Sequence, residues 1–255
     1  MAINKFFTTI LISLSIVMAA SLRVRQTNLS LSSPPTNTSG AASTPSDSEL
    51  ADTVAKLTVA RTQMERLNIL KNDTDFVFDV LNPTSGTVEI AGNGGHIVSA
   101  SRENFPAIVG TGLSMNVAFV EPCGLNTPHL HPRANELFFA INGTFEIGFV
   151  AETGTRVVTN TVKGGQIAVF PQGSLHYQAN LGCEKAVFIA AFSNEDAGVS
   201  LVAQNFFRIP HKILEATLGD GVSLDQLKYI SDILPEDLVL GLKSCRQKCG
   251  LDQDN

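Results

Sequence analysis

The chain has 255 residues, 44% of them apolar and 16% charged, with no Trp and a formal charge of −6. That length supports one sizeable core with flanking elements but not two β-barrels plus a tail. The acidic balance leaves no basic footprint for nucleic acid, so an anionic small molecule would have to be drawn in by a local site.

The N-terminus reads as a secretory signal over residues 1–21. Lys5 is the charged flank, Phe6 to Met18 the apolar segment, and Met18-Ala-Ala-Ser21 the cleavage zone. The apolar run is too short and too rich in Ser and Thr to span a membrane. Secretion to the extracellular space or cell wall is predicted, with no membrane attachment after cleavage. Residues 22–48 form a linker in which Ser and Thr dominate and Pro34, Pro35 and Pro45 recur, a composition that cannot bury a core. Asn28, Asn37 and Asn72 stand in glycosylation acceptor patterns. Asn142-Gly143-Thr144 also fits, but Asn-Gly between apolar runs reads as a type I′ hairpin turn.

Residues 49–75 are predicted to form a helical extension. A capping box, Ser46 with Glu49, opens it, and Leu50, Val54, Leu57 and Met64 are placed on one face. Residues 76–207 change to short apolar or alternating runs between Gly, Pro and Asn turns, which predicts an all-β barrel. The clearest strands are 117–120, 136–141, 145–150, 166–170 and 186–192. Residues 208–255 return to helix. Lys212 to Leu218 stops at Gly219, Ser223 and Gln226 form a second capping box, and Pro235 suits the first turn of a last helix.

Three of the five histidines fall in two segments of the predicted barrel. The first runs Gly124-Leu-Asn-Thr-Pro-His129-Leu-His131-Pro-Arg-Ala-Asn-Glu136, and the second runs Gly165-Gln-Ile-Ala-Val-Phe-Pro171-Gln-Gly173-Ser-Leu-His176-Tyr-Gln-Ala-Asn180. His129 and His131 are two apart, so a strand points both imidazoles to one face. Glu136 lies five beyond His131 and would face away on a straight strand. Pro132 to Asn135 can supply the turn or bulge that restores its aim. His176 is expected from a neighbouring strand. Three imidazoles and a carboxylate form a metal-ligand set of intermediate softness. Four protein ligands saturate tetrahedral zinc, whereas an octahedral ion keeps positions for substrate, which favours Mn or Fe over Zn, Cu or Ni.

The two segments resemble the paired motifs of the cupin superfamily as they occur in germins, germin-like proteins and spherulins. The resemblance runs from about Phe76 to the C-terminal helices. It implies a single jelly-roll β-barrel with an N-terminal helix and flanking C-terminal helices, and metal ligands at His129, His131, Glu136 and His176, usually holding Mn²⁺. Asn116 and Asn126 match asparagines that bind metal-held oxalate in germins with oxalate oxidase activity. A neutral amide can donate to a carboxylate oxygen without adding charge. The family also implies a homo-oligomer, in germin a hexamer built as a trimer of dimers, with the C-terminal helices on a neighbouring subunit.

Four cysteines in a secreted chain permit disulfides. Cys123 immediately precedes the first motif and Cys183 soon follows the second, so a Cys123–Cys183 bridge is expected. Cys245 and Cys249, four apart, would place their Cβ atoms about 5–6 Å from one another on an intact helix, beyond comfortable disulfide reach, so a frayed last turn or an interchain bond would be needed. The N-terminal cysteine pair of plant germins is absent. The functional expectation is a secreted manganese cupin acting as an oxalate oxidase. The alternatives are a manganese superoxide dismutase, an iron cupin dioxygenase with a larger substrate, and a non-enzymatic wall, encystment or storage protein of spherulin type.

Overall fold

The computed structural model describes residues 46–83, 89–219, 221–235 and 237–251. The signal, most of the linker, Asn28 and Asn37 lie outside the described residues; Asn72 is exposed.

Two antiparallel sheets face one another. Strands β1 (Glu89–Gly92), β2 (Gly95–Ala100), β3 (Ser114–Val120), β5 (Glu136–Ala140), β8 (Ile167–Phe170) and β10 (Ala186–Phe192) form one, in the order β1-β2-β3-β10-β5-β8. The other holds β4 (Gly124–Leu130), β6 (Thr144–Val150), β7 (Val158–Lys163), β9 (Leu175–Asn180) and β11 (Ser200–Leu201), in the order β11-β4-β9-β6-β7, with β12 (Val239–Leu240) also on β4. From β3 to β6, and again from β7 to β11, each successive strand changes sheet, so the fold is a jelly-roll. The five strands expected from the sequence are present as β3, β5, β6, β8 and β10.

Asn142-Gly143 is therefore not a hairpin turn, because β5 and β6 belong to opposite sheets. Gly143 alone of the pair takes positive φ (78°), and a Cβ there would lie 2.5 Å from that of Ala186. Asn142 instead accepts a hydrogen bond from the Val187 amide through its side chain.

The interior alternates large and small. Phe138, Phe145, Phe170 and Phe188 are fully buried, and Ala118, Ala140 and Ala186 opposite them leave room for the rings. Phe138 lies 5.5 Å from Phe145 and 4.9 Å from Phe188, ring centre to ring centre, contacts worth about 0.5–1.5 kcal/mol each beyond their buried area. The same inward rows become polar at one end. Register places Phe138 beside Ala190 and Asn116, and one step on Glu136 beside Phe192 and Ser114.

Outside the sheets, Ser46 caps α1 (Asp47–Val59) through the expected capping box. The helix breaks at Ala60 before α2 (Gln63–Ile69), and Met64, expected on the buried face, is exposed while Leu57 is buried. α3 (Val202–Phe207), α4 (His211–Thr217), α5 (Leu224–Ile233, with the Ser223 capping box) and α6 (Lys243–Lys248) follow the barrel. Pro235 does not start a helix: the chain after it forms β12.

The cysteine pairing differs from expectation. Cys123 is bonded to Cys245 and Cys183 to Cys249, with Cα–Cα distances of 5.8 and 5.2 Å. The four-residue spacing that disfavours a bond between Cys245 and Cys249 turns both toward the barrel at the end of α6. Each meets one of the two barrel cysteines that the sequence had joined to each other.

Candidate metal centre

His129 and His176 are direct cross-strand partners on β4 and β9. His131 follows the end of β4, and Glu136 opens β5 in the opposite sheet. The Pro132–Asn135 turn thus carries the chain across the barrel rather than correcting one strand's aim. All four side chains are buried, and one ligand atom from each lies within 4.8 Å of the others.

Asn126 and His129 both point inward although they are three positions apart, an odd offset that would place them on opposite faces of a regular strand. The register of β4 against β9 shifts between them, and Pro128, which has no N–H for the ladder, sits in that bulge. Asn126 donates to Gln178 Oε1 (2.8 Å), and Gln178 donates to Glu136 Oε1 (3.3 Å). Because a carboxylate only accepts, the direction of this relay is set from Asn126 through Gln178 to Glu136. Gln178 was not among the expected site residues. Its signal was available, since it lies two beyond His176 on the same strand face.

The imidazoles are held by carbonyls. Nδ1 of His129, His131 and His176 meets the carbonyl oxygens of Thr127 (2.7 Å), Gly198 (2.5 Å) and Ser174 (2.8 Å). A carbonyl can only accept, so each Nδ1 carries a proton and Nε2 is the ring atom turned inward. Nε2 of His131 and of His176 each lie 3.1 Å from Glu136 Oε2. Electron pairs converging in this way need a cation, or a bridging proton, between them. Phe170 stacks on His176 (4.4 Å) and Phe192 lies against His131 (4.5 Å), fixing both rings.

Burial, with the neighbouring His176, pushes the His129 pKa down to about 3. Burial acts to raise Glu136, but its contacts with His131 and His176 outweigh that and lower it to about 2. At neutral pH His129 is therefore neutral and Glu136 ionised, the states a metal requires. The donor set fits a divalent transition ion.

A cavity of about 190 Å³ opens on the site, lined by Asn116, Asn126, Ser99, Phe192 and Asp237 among others. Asn116 makes no side-chain hydrogen bond with any described residue. Asn126 lines the same cavity but is already engaged with Gln178. The remaining histidines are elsewhere: His96 stacks on Phe119 on β2 and β3 (4.8 Å), and His211 begins α4.

The profile of the family described as "Cupin" matches residues 79–225. The chain is a member of the cupin family. Within it, this cupin is 38% identical over 209 residues to Spherulin-1A of Physarum polycephalum, covering 81% of this chain and 82% of that protein. It is 37% identical over 151 residues to Germin-like protein 1-1 of Oryza sativa subsp. japonica, covering 59% and 68%. Among solved structures, it superimposes on a recombinant oxalate oxidase in complex with glycolate with a TM-score of 0.54 and 25% identity, over 64% of this chain and 84% of that one. This cupin is thus of spherulin and germin-like type, with a His₃Glu site able to bind metal. Among its described residues no helix is long and apolar enough to cross a membrane.

Proposed function

We propose that the protein is a secreted manganese cupin that oxidises oxalate with O₂, giving two CO₂ and H₂O₂. The observation that carries this reading is Asn116, an amide with no side-chain partner among the described residues, on the wall of the cavity that His129, His131 and Glu136 also line. A bound Mn²⁺ would supply Lewis acidity, positions for an oxalate oxygen and an electron relay to O₂. The chain's own part is orientation and exclusion. Asn116 donates to a carboxylate oxygen of the substrate, Gln178 holds Glu136, and Phe188, Ala190 and Phe192 keep that side of the cavity apolar.

In the Mn-loaded protein, Asn116→Ala is expected to retain its Mn and lose about tenfold to hundredfold in kcat/KM for oxalate-dependent peroxide release. One donor to a charged acceptor is worth about 1–3 kcal/mol. Asn126→Ala is a less clean probe, because its amide also supports Glu136 through Gln178. Equal activity in wild type and Asn116→Ala would remove the substrate role. Superoxide dismutation needs the metal and its four ligands only and should survive the change.

A second reading, a metal-stabilised wall, encystment or storage protein, is favoured by the long spherulin match and by the cavity's charges. Glu103, Asp196 and Asp237 line it, and among the described residues no Lys or Arg does. Mn-loaded wild type that turns over neither oxalate nor superoxide would select this reading, whereas superoxide turnover alone would select the dismutase. The signal and linker support secretion and glycosylation at Asn28, Asn37 and Asn72. Exposed Leu137, Ile167 and Val169 on the outer face of one sheet support a homo-oligomer, a hexamer as in germin, which sedimentation would test.

A further inference from the structure

The outer edge of β4 is covered in three pieces. β12 pairs with it at Gly124 and Leu125, and β11 pairs at Leu130 and His129. Between them, at the bulge, the Thr127 amide has no strand partner there. Asp237 fills that gap from 110 residues away: its Oδ1 accepts from Thr127 N and from Thr127 Oγ1, both at 2.8 Å. Thr127 in turn presents the carbonyl that accepts from His129 Nδ1 (2.7 Å). Asp237 is buried, lines the metal cavity, and has no partner for its second oxygen among the described residues.

The segment that delivers it is closely fitted. A Cβ on Gly92 or Gly94 would meet the backbone oxygen of Leu238 or Val239 at 2.1 or 2.0 Å, and one on Gly241 would meet the Cys123 oxygen at 2.5 Å. The Gly94 amide donates to Leu238 O (3.1 Å). Beyond Gly241, the two disulfides fasten α6 to the ends of the motif strands. A carboxylate at the bulge beside a metal ligand is thus held by glycine contacts, a two-residue strand and two covalent links.

We propose that Asp237 is a positioning residue for the metal centre, fixing Thr127 and through it the ring orientation of His129, and that the disulfide-clamped strap of residues 237–249 is part of the site. This rests on the reading of the His₃Glu set as a metal centre, not on the choice of substrate. The direct partner behind His129 is the Thr127 carbonyl, a contact of the kind that typically governs metal affinity by about 10–100-fold, and Asp237 acts through it.

The test is Mn²⁺ binding by the full chain with both disulfides formed, followed by electron paramagnetic resonance of free and bound ion. Asp237→Ala should weaken Mn²⁺ binding about tenfold to hundredfold and alter the bound-ion spectrum. Asp237→Asn keeps the acceptor but loses the charge that strengthens both bonds, so it should lose about threefold to tenfold. A folded Asp237→Ala with wild-type affinity and spectrum overturns the proposal. Where Asp237→Ala does not fold, the near-isosteric Asp237→Asn decides, and wild-type behaviour there overturns it equally. Failure of the wild type to bind Mn²⁺ at all would overturn the metal reading with it, whereas wild-type binding without oxalate turnover leaves this inference standing.

Discussion

His131→Ala is expected to emerge from purification without its metal. The imidazole it deletes is one of four groups whose ligand atoms lie within 4.8 Å of one another, and its Nε2 is 3.1 Å from Glu136 Oε2. Removing it leaves three ligands and a space that water can enter, so the ion loses both a bond and its enclosure. The loss in affinity should exceed the 10- to 100-fold typical of deleting a supporting partner. Metal content by mass spectrometry and an Mn²⁺ titration would measure it. His96→Ala and His211→Ala are the matched controls. Neither residue contributes to the cluster, and both variants should retain wild-type metal content. Stoichiometric metal in His131→Ala would sink the assignment of the site.

The second large effect concerns the disulfides. Cys123–Cys245 closes a separation of 122 residues and Cys183–Cys249 one of 66. Loop-closure entropy gives about 5 and 4 kcal/mol for loops of such lengths taken singly. The two loops overlap over residues 183–245, so the two contributions are not additive. Removing one bridge cleanly, as in Cys183→Ser with Cys249→Ser, should cost about 2–5 kcal/mol. For a domain of this size that lowers Tm by on the order of 5–20 °C, read by calorimetry or circular dichroism. Peptide mapping without reduction should recover fragments joining Cys123 to Cys245 and Cys183 to Cys249. A fragment joining Cys123 to Cys183 would restore the pairing expected from the sequence.

Local pattern made much of this protein legible. Short apolar or alternating runs between Gly, Pro and Asn turns located β3, β5, β6, β8 and β10, because strand-length apolar segments bounded by turn residues are a local signal. The capping boxes at Ser46 and Ser223 marked helix starts, because they satisfy backbone donors within four residues of sequence. His129, His131, Glu136 and His176 could be picked out because motif spacing on paired strands is itself a short-range signal.

What only the tertiary structure decided depends on chain segments meeting from far apart. The sheet change between β5 and β6 could not be read at Asn142-Gly143, since a turn signal says that the chain bends, not which sheet receives the next strand. The cysteine pairing failed for the same reason: spacing disfavoured a Cys245–Cys249 bond, but only the docking of α6 showed which barrel cysteine each would meet. Asn126 and Gln178 were each visible on a strand, yet their relay to Glu136 required β4, β9 and β5 to converge. Asp237 carried no motif at all. Its place at the bulge arises because Thr127 there needs an acceptor that no strand supplies, and the one that meets it lies 110 residues further along the chain.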